Sequence, residues 1–236
     1  MGTFVNLAAV AATSFRSDQL GPLDSVAHPL KPGEYRGEVW RGDEPVGSFR
    51  LAIAESGAGD QIEVDLCAVE SKASSAASFA SGPVDRTPVY AVFHCDGERG
   101  GLRVVVRSSS GKEVEFDSRK LQAGDYYIVT PVRPGDWEMR TGKRGGVGTL
   151  TVASPKPARE PRASRGGATI KVNGDSFVPD RATITAGDGA AFEVTDKDVA
   201  IALTLVEDKP KPGRRAVGVR YPRHRGRDTE ARRDNG

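Results

Sequence analysis

The chain has 236 residues with 28 glycines and 15 prolines, a composition typical of short strands joined by many turns. It has no apolar run of about 18 residues or longer, so the sequence predicts no transmembrane segment. The 34 Lys and Arg residues nearly balance the 32 Asp and Glu residues, but residues 209–236 hold ten basic and three acidic residues. That leaves 24 basic and 29 acidic residues elsewhere, so the chain end carries +7 and the body −5.

The N-terminal segment, residues 1–31, opens with the apolar run FVNLAAVAA. Its length suits the core of a secretory signal, but no Lys or Arg precedes it, as a signal would require. We therefore expect a short helix or strand packed on the following domain, and a cytoplasmic protein. A signal truncated at its start is the alternative, and it would imply an extracytoplasmic protein.

Residues 32–153 show turn residues about every ten positions, between runs that alternate apolar and polar side chains. The clearest run is QIEVDLCAV, in which Ile62, Val64, Leu66 and Ala68 alternate with polar or small residues. We count seven or eight such strands, and no helical period is sustained. The pattern predicts an all-β protein with an antiparallel, Greek-key-type β-sandwich over residues 32–153.

Three further segments follow. Residues 154–167 form a Pro/Arg-rich linker, which prolines make extended and semi-rigid. Residues 168–208 alternate as strands do, yet are too few to bury an independent core. This small β module must pack on the first domain, pair with another chain, or form a reduced module of its own. Because unpaired strand edges recruit other strands, we expect self-association or a protein partner through residues 168–208.

The basic tail, residues 209–236, has few large apolar side chains and is predicted to be disordered. Arginines with a tyrosine can bind anions through charge and stacking, and can bind nucleic acid in this way. A solvated tail is the simpler interpretation. The candidate binding residues of the tail are Arg214, Arg215, Arg220, Tyr221, Arg223, Arg225 and Arg227.

Residues 121–152 form a strand, a turn and a return strand that resemble the end of a cupredoxin, "GxYxxxC" followed by "GMxGxLxV". Thr130 stands about where the ligand cysteine would be, and Val147 where the axial methionine would be. Residues 168–208 resemble the first half of the same family, through Ile170, Val172, Phe177, Pro179, Gly187, Asp188, Phe192 and Asp196. The resemblance implies a cupredoxin-like β-sandwich without the copper ligands, and therefore no cofactor.

Few residues suggest chemistry. Cys67 and Cys95 could form a disulfide or remain buried free thiols. The histidines, His28, His94 and His224, are too scattered for a zinc site. His94 and Cys95 are adjacent on a strand, so their side chains diverge. We therefore predict no metal site, no catalytic residue and no enzyme activity.

Three functions follow from these observations. The first is a non-catalytic β-sandwich protein that acts in binding or assembly. The second is a nucleic-acid or anionic-surface binder that uses its basic tail. The third is a copper-binding electron-transfer protein that uses its cysteines, His28, His94 and Met139 in an unfamiliar arrangement.

Overall fold

The computed structural model describes residues 10–54, 61–71, 77–80, 88–97, 100–111, 113–142, 145–155 and 167–206. These residues form a helix, α1 (Leu66–Ser71), and seventeen strands, so the prediction of an all-β protein is confirmed. The strands are β1 (Ser14–Arg16), β2 (Asp24–Leu30), β3 (Gly33–Arg41), β4 (Glu44–Ile53), β5 (Gln61–Asp65), β6 (Ala77–Ala80), β7 (Val89–His94), β8 (Leu102–Ser108), β9 (Val114–Asp117), β10 (Tyr126–Val129), β11 (Gly135–Thr141), β12 (Val147–Ala153), β13 (Ala168–Asn173), β14 (Ser176–Val178), β15 (Arg181–Thr185), β16 (Ala190–Val194) and β17 (Ile201–Leu205).

The strands form three sheets. Sheet 1 has the order β1-β17-β11-β12-β15, and sheet 2 has the order β14-β13-β16-β10-β2-β7-β5. Sheet 3 has the order β6-β4-β3-β8-β9. Most neighbours are antiparallel, while β12 with β15, β13 with β16, β5 with β7 and β4 with β6 are parallel.

One face of sheet 2 packs into the hydrophobic core. A row of directly opposite, fully buried side chains crosses six neighbouring strands of this sheet. Residues of all three sheets belong to one hydrophobic cluster with this row. The row consists of Ile170, Phe192, Tyr127, Val26, Phe93 and Val64.

The strands of residues 168–205 pair with strands that come earlier in the same chain. Strand β16 lies between β10 and β13, β17 lies between β1 and β11, and β15 runs parallel to β12. Of the three arrangements expected for this segment, the structure shows packing on the preceding part of the chain. Within the segment, β14 and β15 are the strands that lie at sheet edges. Self-association through residues 168–208 and the limits of the domains stay predictions.

Cys67 and Cys95 form a disulfide, with 5.1 Å between their Cα atoms. The bond joins α1 to the residue that follows β7. Because both sulfur atoms are part of the disulfide, neither can bind a metal as a thiolate.

Several expectations concern residues outside the described ranges. They are the part of the apolar run that lies before residue 10, most of the linker and the basic tail. Among the described residues, no helix has the length and apolar character needed to cross a membrane.

Candidate binding surface

Three arginines stand side by side on the outer face of sheet 3. Arg36 on β3 lies directly opposite Arg50 on β4 and directly opposite Arg107 on β8. The neighbours of Arg36 in sequence, Tyr35 and Gly37, are buried, so strand alternation points the Arg36 side chain outward. We call Arg50, Arg36 and Arg107 the arginine row.

The arginine row forms no ion pair in the part of the chain that the structure describes. None of its three side chains pairs with a described carboxylate. Four other arginines do have a carboxylate partner, in the pairs Arg16–Asp18, Arg41–Glu70, Arg119–Asp117 and Arg140–Glu138. Like charges directly opposite each other destabilise a sheet, so this row costs free energy when the protein is alone.

Trp40 extends the surface along β3. It lies directly opposite Arg103 on β8 and Pro45 on β4. The Arg103 guanidinium carbon lies 5.0 Å from the centroid of the Trp40 ring, which is a cation–π contact. Burial, and to a smaller extent the charge of Arg119, lower the pKa of Arg103, while the nearby carboxylates of Asp117, Asp43 and Glu38 oppose this shift.

A groove of about 360 Å³ lies between the arginine row and Trp40. Its apolar wall consists of Trp40 with Pro45 and Val46, and its polar groups come from Arg36 and Glu38. The volume is at the lower end of the range of about 300–1,000 Å³ that is usual for small-molecule sites. The residues that line the groove are Arg36, Glu38, Trp40, Pro45, Val46, Gly47 and Ser48.

The cupredoxin resemblance directs attention to a different place, the end of the sandwich where β11 turns into β12. Strands β11 and β12 form an antiparallel hairpin, and Thr141 is the last residue of β11. Thr130 instead follows β10, and its amide donates to the Leu23 carbonyl. Thr130 therefore lies outside the β11–β12 hairpin, and Thr141 is the residue that ends the first strand of that hairpin.

The side chains at this end do not fit copper. Thr141 lines a cavity of about 220 Å³ together with Lys197, Asp175 and Asp198. A blue-copper site needs two imidazoles and a thiolate, and the described lining contains neither kind of ligand. No group of three or more His, Cys, Asp or Glu side chains comes together anywhere in the described ranges.

The other metal-ligand candidates are not brought together either. His28 Nδ1 lies 2.6 Å from Asp125 Oδ1 in a buried pair, and His94 Nδ1 lies 3.1 Å from Asp96 Oδ1. Met139 is buried in β11, and the two cysteines form the disulfide. Each of these side chains therefore has a local structural role.

Comparison of the chain with protein-family models, with curated proteins and with solved structures found no match. The case for a function therefore rests on the chemistry of the surface. The tail residues proposed from the sequence, Arg214 to Arg227 with Tyr221, lie outside the described ranges. The arginine row was missed, although the positions of Arg36 and Arg50 in alternating strands placed them on polar faces.

One buried acidic group also needs an explanation. Asp24 Oδ2 accepts a 2.9 Å hydrogen bond from the Tyr127 hydroxyl, and its Oδ1 accepts one of 2.6 Å from the Gly21 amide. Burial raises the pKa of Asp24 to about 7. Since β2 and β10 are neighbours in sheet 2, the bond between Asp24 and Tyr127 fastens one strand to the other.

We expect Asp24→Asn to remove a pH dependence of stability. Below about pH 4 the carboxyl is protonated in both the folded and the unfolded chain, and above pH 7 it is ionised in both. Between these values the folded state holds the extra proton, so its stability falls as pH rises, by up to about 4 kcal/mol. Urea unfolding of the wild type and the variant at about pH 5 and pH 8 measures the difference. Equal pH slopes for the two proteins would contradict the raised pKa.

Proposed function

We propose that this protein is a non-catalytic binding protein that recognises an anionic partner through the outer face of sheet 3. The observation that carries the proposal is the arginine row, in which three guanidinium groups without an ion pair to a described carboxylate lie opposite each other on neighbouring strands. An arrangement that destabilises the free protein is understandable where a partner supplies the missing negative charges.

The geometry of the row favours a partner with several anionic groups. Neighbouring strands lie about 4.8 Å apart, so three arginines in line extend over about 10 Å across the sheet. Guanidinium groups bind carboxylate, sulfate or phosphate groups through paired hydrogen bonds, which adds direction to the attraction. A partner lying across β4, β3 and β8 would meet all three.

The buried acid–base groups support a non-catalytic role. Asp24 is hydrogen-bonded by Tyr127 and Gly21, and His28 is paired with Asp125 and stacked on Phe116 at 4.7 Å. The first pair connects β2 to β10, and the second connects β2 to Asp125, which directly precedes β10. Both pairs therefore have a structural role.

We also infer that the scaffold is a copper-free, cupredoxin-like sandwich with its two halves in reversed order. Residues 121–152, which resemble the end of that family, come before residues 168–208, which resemble its beginning. The pairing of β10 with β16, β11 with β17 and β12 with β15 supports this view, since it joins the two halves. An electron-transfer role through copper would need ligands that this end of the sandwich does not offer.

The arginine row can be tested with dextran sulfate as the anionic probe and the full chain as the protein. We expect the triple variant Arg36→Gln, Arg50→Gln and Arg107→Gln to raise the dissociation constant at least about tenfold, because it removes three charged contacts. The same variant should be slightly more stable than the wild type when no probe is present, because the repulsion is gone. Calorimetric titration and urea unfolding measure the two effects.

The matched control replaces three other arginines, Arg133, Arg140 and Arg181, by glutamine. It changes the net charge equally but lies outside the outer face of sheet 3. If both triple variants bind the probe equally, the effect is one of net charge and the proposal is wrong. If only the replacement of the tail arginines by glutamine abolishes binding, the tail-driven alternative is correct.

A further inference from the structure

We propose that the anionic partner is an acidic saccharide chain, and that one of its sugar rings occupies the groove beside Trp40. This inference rests on the proposed function, because the arginine row would hold the acidic groups of the same chain. It goes further by assigning the groove to a sugar ring of that chain, with its C–H faces and hydroxyl groups.

The groove combines the two kinds of contact that a sugar ring needs. A pyranose ring has C–H bonds on its faces, which pack against the electron-rich face of an aromatic side chain such as Trp40. Its hydroxyl groups need hydrogen-bond acceptors and donors, which Glu38 and Ser48 supply at the groove wall. Pro45 and Val46 complete the apolar side.

Arg36 connects the groove to the arginine row, since it lines the groove and is also the middle member of the row. A carboxylate on the bound sugar would meet Arg36 from within the groove. The acidic groups of neighbouring sugars would then lie within reach of Arg50 or Arg107. The site is therefore built for a repeating chain rather than for a single ion.

Two buried donors at this corner also lack an acceptor. The indole Nε1 of Trp40 and the Nε of Arg103 make no hydrogen bond to any described group. Buried donors are almost always paired, and an oxygen-rich ligand that displaced the Arg103 side chain would supply acceptors to both.

The same residues argue against nucleic acid. Single-stranded nucleic acid is usually held by several stacking aromatics, whereas Trp40 is the aromatic residue that lines this groove.

The test compares four probes with the full chain: an oligogalacturonate, a neutral dextran oligomer, poly-glutamate and single-stranded DNA. We expect the oligogalacturonate to bind at least about tenfold more tightly than each of the others. Trp137 is fully buried, so a change in tryptophan fluorescence on binding would come from Trp40. Calorimetry measures the affinities of the variants.

Trp40→Ala should weaken oligogalacturonate binding about tenfold and leave poly-glutamate binding, which involves no sugar ring, unchanged. Glu38→Gln should also weaken oligogalacturonate binding, because it replaces a charged acceptor of the sugar hydroxyl groups by a weaker neutral one. Tyr126→Ala, which removes a partly exposed aromatic from sheet 2, is the control and should change neither. Circular dichroism checks that each variant is folded.

The two proposals fail in different ways. If all anionic probes bind equally and neither Trp40→Ala nor Glu38→Gln is selective, the saccharide assignment is wrong while the arginine row stands. If Ser48→Ala and Glu38→Gln both leave oligogalacturonate binding unchanged, the groove takes no sugar. If the arginine triple variant binds dextran sulfate normally, the proposed function itself is wrong.

Discussion

A chain that ends at Val152 is expected to lose its native fold. The truncation removes β13 to β17, among them β16, which pairs with β10, and β17, which lies between β1 and β11. It also uncovers side chains that are fully buried, such as Tyr127, Trp137 and Leu150. Because these losses affect sheets 1 and 2 together, we expect no cooperative thermal transition in circular dichroism.

The control for this prediction is a chain that ends at Val206, which keeps every described strand. It should unfold cooperatively and near the midpoint of the full protein. If the chain that ends at Val152 also unfolds cooperatively at that temperature, residues 168–206 are a separable module, and the pairing of the two halves is not needed for folding.

The second large effect is expected at Gly37, where β3 crosses the ring of Phe49. A Cβ atom built on Gly37 would lie 2.0 Å from Phe49 Cζ, and Phe49 is itself fully buried. The ring cannot withdraw easily, because it packs against Phe93 with 5.9 Å between the ring centroids. Gly37→Ala should therefore lower the free energy of unfolding by about 3 kcal/mol, the upper end of the usual range for overpacking.

Gly21→Ala is the matched control, since the nearest atom to its added Cβ would be 3.5 Å away. Urea unfolding should show little change for this variant. Adding Phe49→Leu to Gly37→Ala should recover part of the lost stability, because the smaller side chain makes room for the methyl group. Equal stability of Gly37→Ala and Gly21→Ala would show that the ring is free to move.

Alternation along the chain predicted the all-β class, because the buried face of each strand is visible in sequence. It predicted the end of β5 less well. Leu66 and Ala68 continue the alternation, yet the strand ends at Asp65 and α1 begins. Asp65 Oδ1 accepts the Cys67 amide at 3.0 Å, which is a helix-capping bond that alternation does not reveal.

The arginine row could not be predicted, because it depends on register between strands that are far apart in sequence. Arg36 and Arg107 are separated by about seventy positions, and nothing local indicates that they lie opposite each other. The pairing of residues 168–205 with the earlier strands could not be predicted for the same reason. Sequence patterns indicate which face a residue occupies, and tertiary structure decides its neighbours.

The most direct test of the central claim is to observe the arginine Nε–H groups by NMR while the full chain is titrated with dextran sulfate. We expect the signals of Arg36, Arg50 and Arg107 to shift together, while those of Arg140 and Arg181 do not move. Shifts confined to the tail arginines, with the arginine row unchanged, would contradict the claim that the outer face of sheet 3 is the binding surface.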